Sequence, residues 1–194
     1  MFTLIKRSFY ERDTDLVARA LLGKQIVHIM GKQIRAGIIV ETEAYCSDDP
    51  ACHAYKGLTK SNSALFGPVG HAYVYFIYGN HYCVNVVARN KNKPAGGVLI
   101  RAIEPTYGIE EMILTRHGIT GHQISNGPGK LTKALGITKK QNHVDLTIKG
   151  ELFIAEGHSV KPSEIVAATR IGISAAKELP LRFYVADNKW ISRR

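Results

Sequence analysis

Apolar and polar positions along the chain follow two different periods. After Asp13 and Thr14, the residues Leu16, Val17, Ala20 and Leu21 fall at helical spacing, which predicts a short helix capped by Asp13 or Thr14 and closed at Gly23. From Gln25 the pattern changes. Residues 25–30 and 34–45 are rich in β-branched side chains, and Gly31 and Lys32 between them suit a tight turn. Residues 72–78 and 81–88 form a second pair of β-rich runs, and 97–103, 145–155, 165–173 and 181–185 are further predicted strands. Helices are predicted after Pro105 and Pro128, ending near Gly118 and Gly136. Strands in runs with helices around them indicate an α+β fold rather than alternating α/β. No repeat or linker divides the 194 residues, so residues 1–194 are expected to form one domain. The polar stretch 46–69 is a long connection for such a domain, and connections of that kind are usually functional or mobile.

Composition narrows the function. Hydrophobic residues make up 45% of the chain, enough for a core, so disorder is excluded as the main state. No apolar run is long enough to span a bilayer and the first residues lack a signal-peptide core, so a soluble, cytoplasmic, membrane-free protein is expected. Three cysteines without paired spacing agree with a reducing compartment. Lys plus Arg number 26 against 16 Asp plus Glu, a net charge of +10. That excess suits a polyanion, most simply nucleic acid, although a merely solvated basic surface is the plain alternative.

The run Ile38-Ile39-Val40-Glu41-Thr42-Glu43-Ala44-Tyr45 begins as a buried strand and ends with two acids. Period-two alternation puts Glu41, Glu43 and Tyr45 on one face, where two carboxylates need a cation or a wet cleft beside them. Arg101, after the apolar run Val98-Leu99-Ile100, is the candidate cation. A carboxylate so held can act as a general base on water, and a structural ion pair is the competing reading.

Residues 73–78 and 81–85 are separated by Gly79 and Asn80, a two-residue hairpin signal that predicts pairing of Tyr78 with His81 and Val74 with Asn85. Tyr78 then stands beside the apex, placed to enter a DNA minor groove as a wedge, whereas Tyr73 and Tyr82 read as ordinary sheet packing. That register sets Tyr75 and Asn85 on opposite faces, so a shared pocket requires a bulge or a strong twist. Cys46, Cys52, His53 and His71 match no compact zinc spacing, and Asn126-Gly127-Pro128-Gly129-Lys130 is an incomplete phosphate loop, better read as a turn opening a helix.

Taken in order, the motifs Leu16–Gly23, Val40–Tyr45, Ala51–His53, Tyr73–Gly79, Cys83–Asn85, Arg101–Pro105, Gly127–Leu131 and Leu181–Val185 resemble the alkyladenine, or 3-methyladenine, DNA glycosylase family in its compact bacterial form, over nearly the whole chain. The resemblance implies a single α+β domain with a curved antiparallel sheet, surrounding helices and a protruding hairpin, with no metal or other cofactor. It implies a monofunctional enzyme, a monomer, that excises alkylated or deaminated purines from double-stranded DNA and leaves an abasic site. Residue by residue, it implies that Glu43 activates water and Arg101 helps hold it. Tyr45, His53 and Tyr75 would surround the flipped purine, Tyr78 would fill the vacated gap, and Asn85 would disfavour guanine's exocyclic amine. Gly129 stands where serine is common in relatives, and the 53–67 segment bordering the predicted pocket is free to vary. Two other readings fit the residues: a non-catalytic nucleic-acid binder that stacks bases on its aromatics, and a zinc hydrolase or deaminase using Cys46, Cys52 and His53.

Overall fold

The computed structural model describes residues 2–77 and 79–193. Its centre is a long strand, β2 (Gln33–Cys46), which turns back from β1 (Gln25–Met30) and pairs along its other edge with β5 (Gly96–Tyr107). The hairpin of β3 (Ala72–Ile77) and β4 (His81–Val87) extends the sheet beyond β5, and β6 (Leu152–Ala155) extends it beyond β1. The late strands β7 (Ile165–Ala168) and β8 (Arg182–Val185) branch off, with β8 lying against residues 41–43 of β2, so that β1 and β8 divide one edge of the same strand. Every pairing is antiparallel, and the sheet curls into a half-barrel.

Two compensating irregularities bend β2 and β5 where they matter. Ile39 pairs with Ile103, Glu41 with Ala102 and Thr42 with Ile100, so Val40 is the extra residue on one strand and Arg101 on the other. Bulges of this sort re-aim side chains and increase local twist. They also break the simple alternation: Ile39 and Ala44 both enter the main core although an uninterrupted strand would separate them.

Helix α1 (Thr14–Ala20) packs Val17 and Ala18 against this sheet. Asp13 occupies its N-cap without a side-chain cap bond, and the Thr14 hydroxyl instead donates to the Ala88 carbonyl. Gly23 closes the helix with φ +83, where a Cβ would lie 2.3 Å from the His158 carbonyl oxygen. A short helix, α2 (Ser63–Phe66), interrupts the polar connection. Helix α3 (Ile109–Thr115) starts later than Pro105 suggested: residues 105–107 remain in β5, beyond its pairing with β4, and Gly108 makes the turn at φ +67. Proline is tolerated there because only one edge of β5 is in use. Helix α4 (Pro128–Leu135) opens on Pro128, buries Leu131, Ala134 and Leu135 at helical spacing, and ends at Gly136.

Two predicted strands are shorter than expected. In 145–155 only residues 152–155 form a strand, with Asp145 in an isolated bridge to His71, because the Asp145 carboxylate accepts bonds from the Thr147 N–H and hydroxyl and turns the chain locally. In 165–173 the strand stops at Ala168, after which Arg170 turns inward and Gly172 adopts φ +77. Among the described residues no helix is long and apolar enough to cross a membrane.

Candidate active site

The inner end of the hairpin sets the site's geometry. Ile77 pairs with His81, Tyr75 with Cys83 and Tyr73 with Asn85, so three positions rather than the predicted two separate the last paired residues. Gly79 has φ +69 and the Asn80 N–H donates to the Ile77 carbonyl, a turn that glycine makes possible. Adding one residue to the loop moves the register by one and brings Tyr73, Tyr75, Cys83 and Asn85 onto the same face. The predicted conflict between Tyr75 and Asn85 therefore disappears without a bulge. Tyr78 lies outside the described residues. Only Asn85–Val87 of β4 pair with β5; the outer half rests on α4, where the Thr132 hydroxyl donates to the Tyr82 carbonyl.

That face forms one wall of a cavity of about 460 Å³, within the range of small-ligand sites. Tyr45, His53, Tyr75, Asn85 and Arg101 all line it. Tyr73 and Tyr75 stack with ring centres 5.2 Å apart, and His53 meets Tyr75 edge-on at 4.6 Å. His53 Nδ1 is 2.8 Å from the Tyr73 hydroxyl, so Tyr73, read from the sequence as ordinary packing, orients the imidazole. Burial lowers the His53 pKa and favours the neutral ring. The Asn85 amide donates to the Tyr73 carbonyl at 3.1 Å, combining a backbone contact with its place in the lining. Opposite, residues 171–174 and the Pro128–Gly129 turn complete the wall. Gly129 makes room for His81: a Cβ there would sit 2.8 Å from the imidazole.

Glu41 and Glu43 are both fully buried and share Arg101, yet their surroundings differ. Glu41 Oε1 accepts from Arg101 Nε at 3.3 Å, Arg182 Nη1 at 3.0 Å and the Ser192 hydroxyl at 2.9 Å; its Oε2 accepts from the Ser192 N–H at 2.6 Å. Two cations and two neutral donors enclose it. Glu43 Oε1 lies 3.3 Å from Arg101 Nη1 and accepts from the Ile171 N–H at 2.8 Å, while Oε2 accepts from the Tyr45 hydroxyl at 2.6 Å. All three of those partners line the cavity, so Glu43 stands immediately behind its wall. Burial alone would lower the Arg101 pKa, but Glu43 and then Glu41 outweigh it and raise the value. Arg101 stays charged, and the carboxylate behind it and the neutral His53 on the wall are both groups of the kind that can accept a proton.

Tyr45 is fixed from behind. The Arg170 guanidinium lies 4.7 Å from its ring centre, donates to the Ala44 carbonyl and forms a buried ion pair with Asp49. The sequence assigns no site role to Arg170, Asp49, Arg182, Ser192 or Ile171, although Asp49 stands among the acids of the 46–69 segment and Arg182 within the Leu181–Val185 motif. They lie in loops or late in the chain, and only a buried position would distinguish these arginines from the other basic residues. Cys52 accepts from the Ala54 N–H, and burial raises its thiol to about 11. Among the described residues no three His, Cys, Asp or Glu side chains converge as a metal cage.

The sequence profile of the methylpurine-DNA glycosylase family matches residues 8–189. A protein of Carboxydothermus hydrogenoformans is 49% identical over 191 residues, covering 98% of this chain and 100% of its own. One from Methanoculleus marisnigri is 48% identical over 191 residues, covering 96% and 97%, and one from Clostridium acetobutylicum is 48% identical over 199 residues, covering 96% of each. All three are provisionally named 3-methyladenine DNA glycosylase.

Proposed function

From the premise that the chain belongs to the methylpurine-DNA glycosylase family and is a DNA glycosylase, we propose that it turns an alkylated or deaminated purine out of double-stranded DNA and hydrolyses its glycosidic bond. The observation that carries the reading is Glu43, an arginine-paired carboxylate behind the wall of a cavity lined by Tyr45, His53 and Tyr75. A base inside a duplex cannot be reached by such a carboxylate, so the nucleotide has to leave the stack. Tyr45, His53 and Tyr75, which all line the cavity, supply aromatic surface for it. Alkylation at a ring nitrogen makes the purine cationic, which strengthens stacking on electron-rich rings and improves the leaving group.

Hydrolysis then balances simply. Water oxygen bonds to the sugar C1′ as the bond from C1′ to the purine nitrogen breaks, the electron pair leaves with the base, and Glu43 takes the proton. Arg101 is proposed to hold the carboxylate in place, and Asn85, which lines the cavity, to disfavour the exocyclic amine of guanine. Tyr78, which follows Ile77 in the sequence, is proposed to support the vacated stack. No lysine shares the Glu43 motif, so water rather than an amine is the nucleophile and the strand is left uncut.

The test is incubation with duplexes bearing a single 3-methyladenine, 7-methylguanine, hypoxanthine or ethenoadenine, with and without chelator. Abasic sites that break only on alkali treatment are the expected product. Binding without excision on the whole panel would favour a non-catalytic nucleic-acid protein, and loss of activity with chelator would favour a metal enzyme.

A further inference from the structure

A carboxylate with no exposed surface, as Glu43 is, needs donors in place of the water it has lost. Three take that place: the Ile171 N–H, Arg101 and the Tyr45 hydroxyl. They differ in kind. The Ile171 donor is backbone, and Arg101 is divided between Glu43 and Glu41. The Tyr45 hydroxyl bonds Glu43 at 2.6 Å, the shortest of the three contacts. Its proton is firmly held, because burial first and Glu43 second push the phenol far above its ordinary pKa. Tyr45 is thus a donor throughout the working range. A carboxylate offers about four lone-pair sites, so two hydrogen bonds and the Arg101 ion pair leave room for one proton and the hydroxyl does not block the base.

The same residue presents its ring to the cavity, and Arg170 behind the ring fixes where the hydroxyl falls. We infer that Tyr45 is a positioning residue for Glu43 as well as a stacking surface: its hydroxyl, 2.6 Å from Oε2, holds the carboxylate in place beside the cavity, and its removal is expected to shift the pH profile of excision. The inference rests on the reading of Glu43 as the base. Other charged or titratable groups around Glu43 are Arg101 from β5, Arg182 from the paired position on β8, Arg170 from the loop after β7, Tyr75 from β3, Cys83 from β4 and Glu41 on β2 itself. Among the described residues only Tyr45 hydrogen-bonds it with a side chain and only Arg101 forms an ion pair with it.

The experiment is a single-turnover pH profile of excision from hypoxanthine duplex by wild type, Tyr45→Phe, Tyr45→Leu and Glu43→Gln. Tyr45→Phe keeps the ring and removes the donor. Its acidic limb is expected to move to higher pH, so that below both limbs its rate falls about tenfold against wild type, equivalent to about 1.4 kcal/mol and the low end for a hydrogen bond to a charged group. Tyr45→Leu also loses the ring and is expected to lose lesion affinity in addition. Site-specific 3-fluorotyrosine at position 45, a stronger donor of nearly the same shape, is expected to move the limb the opposite way and serves if Tyr45→Phe does not fold. Limbs that superimpose on wild type, with Glu43→Gln inactive, would overturn this inference alone. Excision retained by Glu43→Gln would overturn the reading beneath it.

Discussion

The two carboxylates on β2 are two positions apart, share an arginine and have no exposed surface, yet they are predicted to fail in opposite ways when neutralised. Glu41→Gln keeps the shape and removes the charge that offsets Arg101 and Arg182, both about 5% exposed. Removing one partner from a buried ion pair costs about 3–5 kcal/mol. Glutamine can still accept from part of the same set, so the lower figure of about 3 kcal/mol is appropriate. For a chain of this length, where 1 kcal/mol moves the melting temperature by about 2–4 °C, the expected drop is about 6–12 °C. Glu43→Gln leaves Arg101 its bond to Glu41, so its cost in stability is expected to be under half as large, about 1 kcal/mol. Its excision rate, however, should fall by about 10²–10⁴, the usual contribution of a general base. Calorimetry and single-turnover excision on one hypoxanthine duplex, performed on both variants, separate the roles. A Glu41→Gln protein with wild-type melting and no excision would show that the base and the structural anchor have been assigned the wrong way round.

Burial holds the His53 imidazole below its usual pKa, so the unfolded chain takes up a proton below about pH 6.5 while the folded protein resists it. Stability from neutral His53 is therefore complete above that pH and is lost as pH falls toward the folded-state value; a melting curve against pH that is unchanged in His53→Asn would refute the assignment. Asn85→Ala should raise excision of guanine relative to hypoxanthine, measured as a ratio of single-turnover rates, and an unchanged ratio would remove Asn85 from discrimination. The net charge of +10 is expected to act through phosphates, so lesion-duplex affinity by fluorescence anisotropy should fall at least about tenfold between 50 and 200 mM salt, and a flat response would contradict it.

Much of this site could be read from the chain because its groups violate local expectation. Two acids at the end of an apolar strand, and an arginine after three apolar residues, are conspicuous wherever the strand goes. The hairpin was legible as a hairpin but not in register: Gly79-Asn80 satisfies a two-residue turn by composition, and only the ladder, with Ile77 opposite His81, reveals the third residue. That difference of one decides which side chains meet. The paired bulges at Val40 and Arg101 had no signature either, since each exists only because the other strand is irregular at the neighbouring position.

The groups that replace water around Glu43 explain why the rest stayed hidden. Ile171 contributes an N–H, which every residue but proline carries, and the side chain gives no hint of it. It reaches Glu43 because Arg170 leaves the line of β7 and turns inward to Asp49, 121 residues earlier in the chain. A buried cation at that distance from its partner is visible only after folding, yet it fixes three parts of the site together: the Tyr45 ring that it covers, the Ala44 carbonyl beside Glu43 on the strand, and the backbone donor next to itself. The acid that can be picked out from sequence therefore depends for its placement on an arginine that cannot, and the two are joined by no local pattern, only by the curl of the sheet that brings β2 and the loop after β7 side by side.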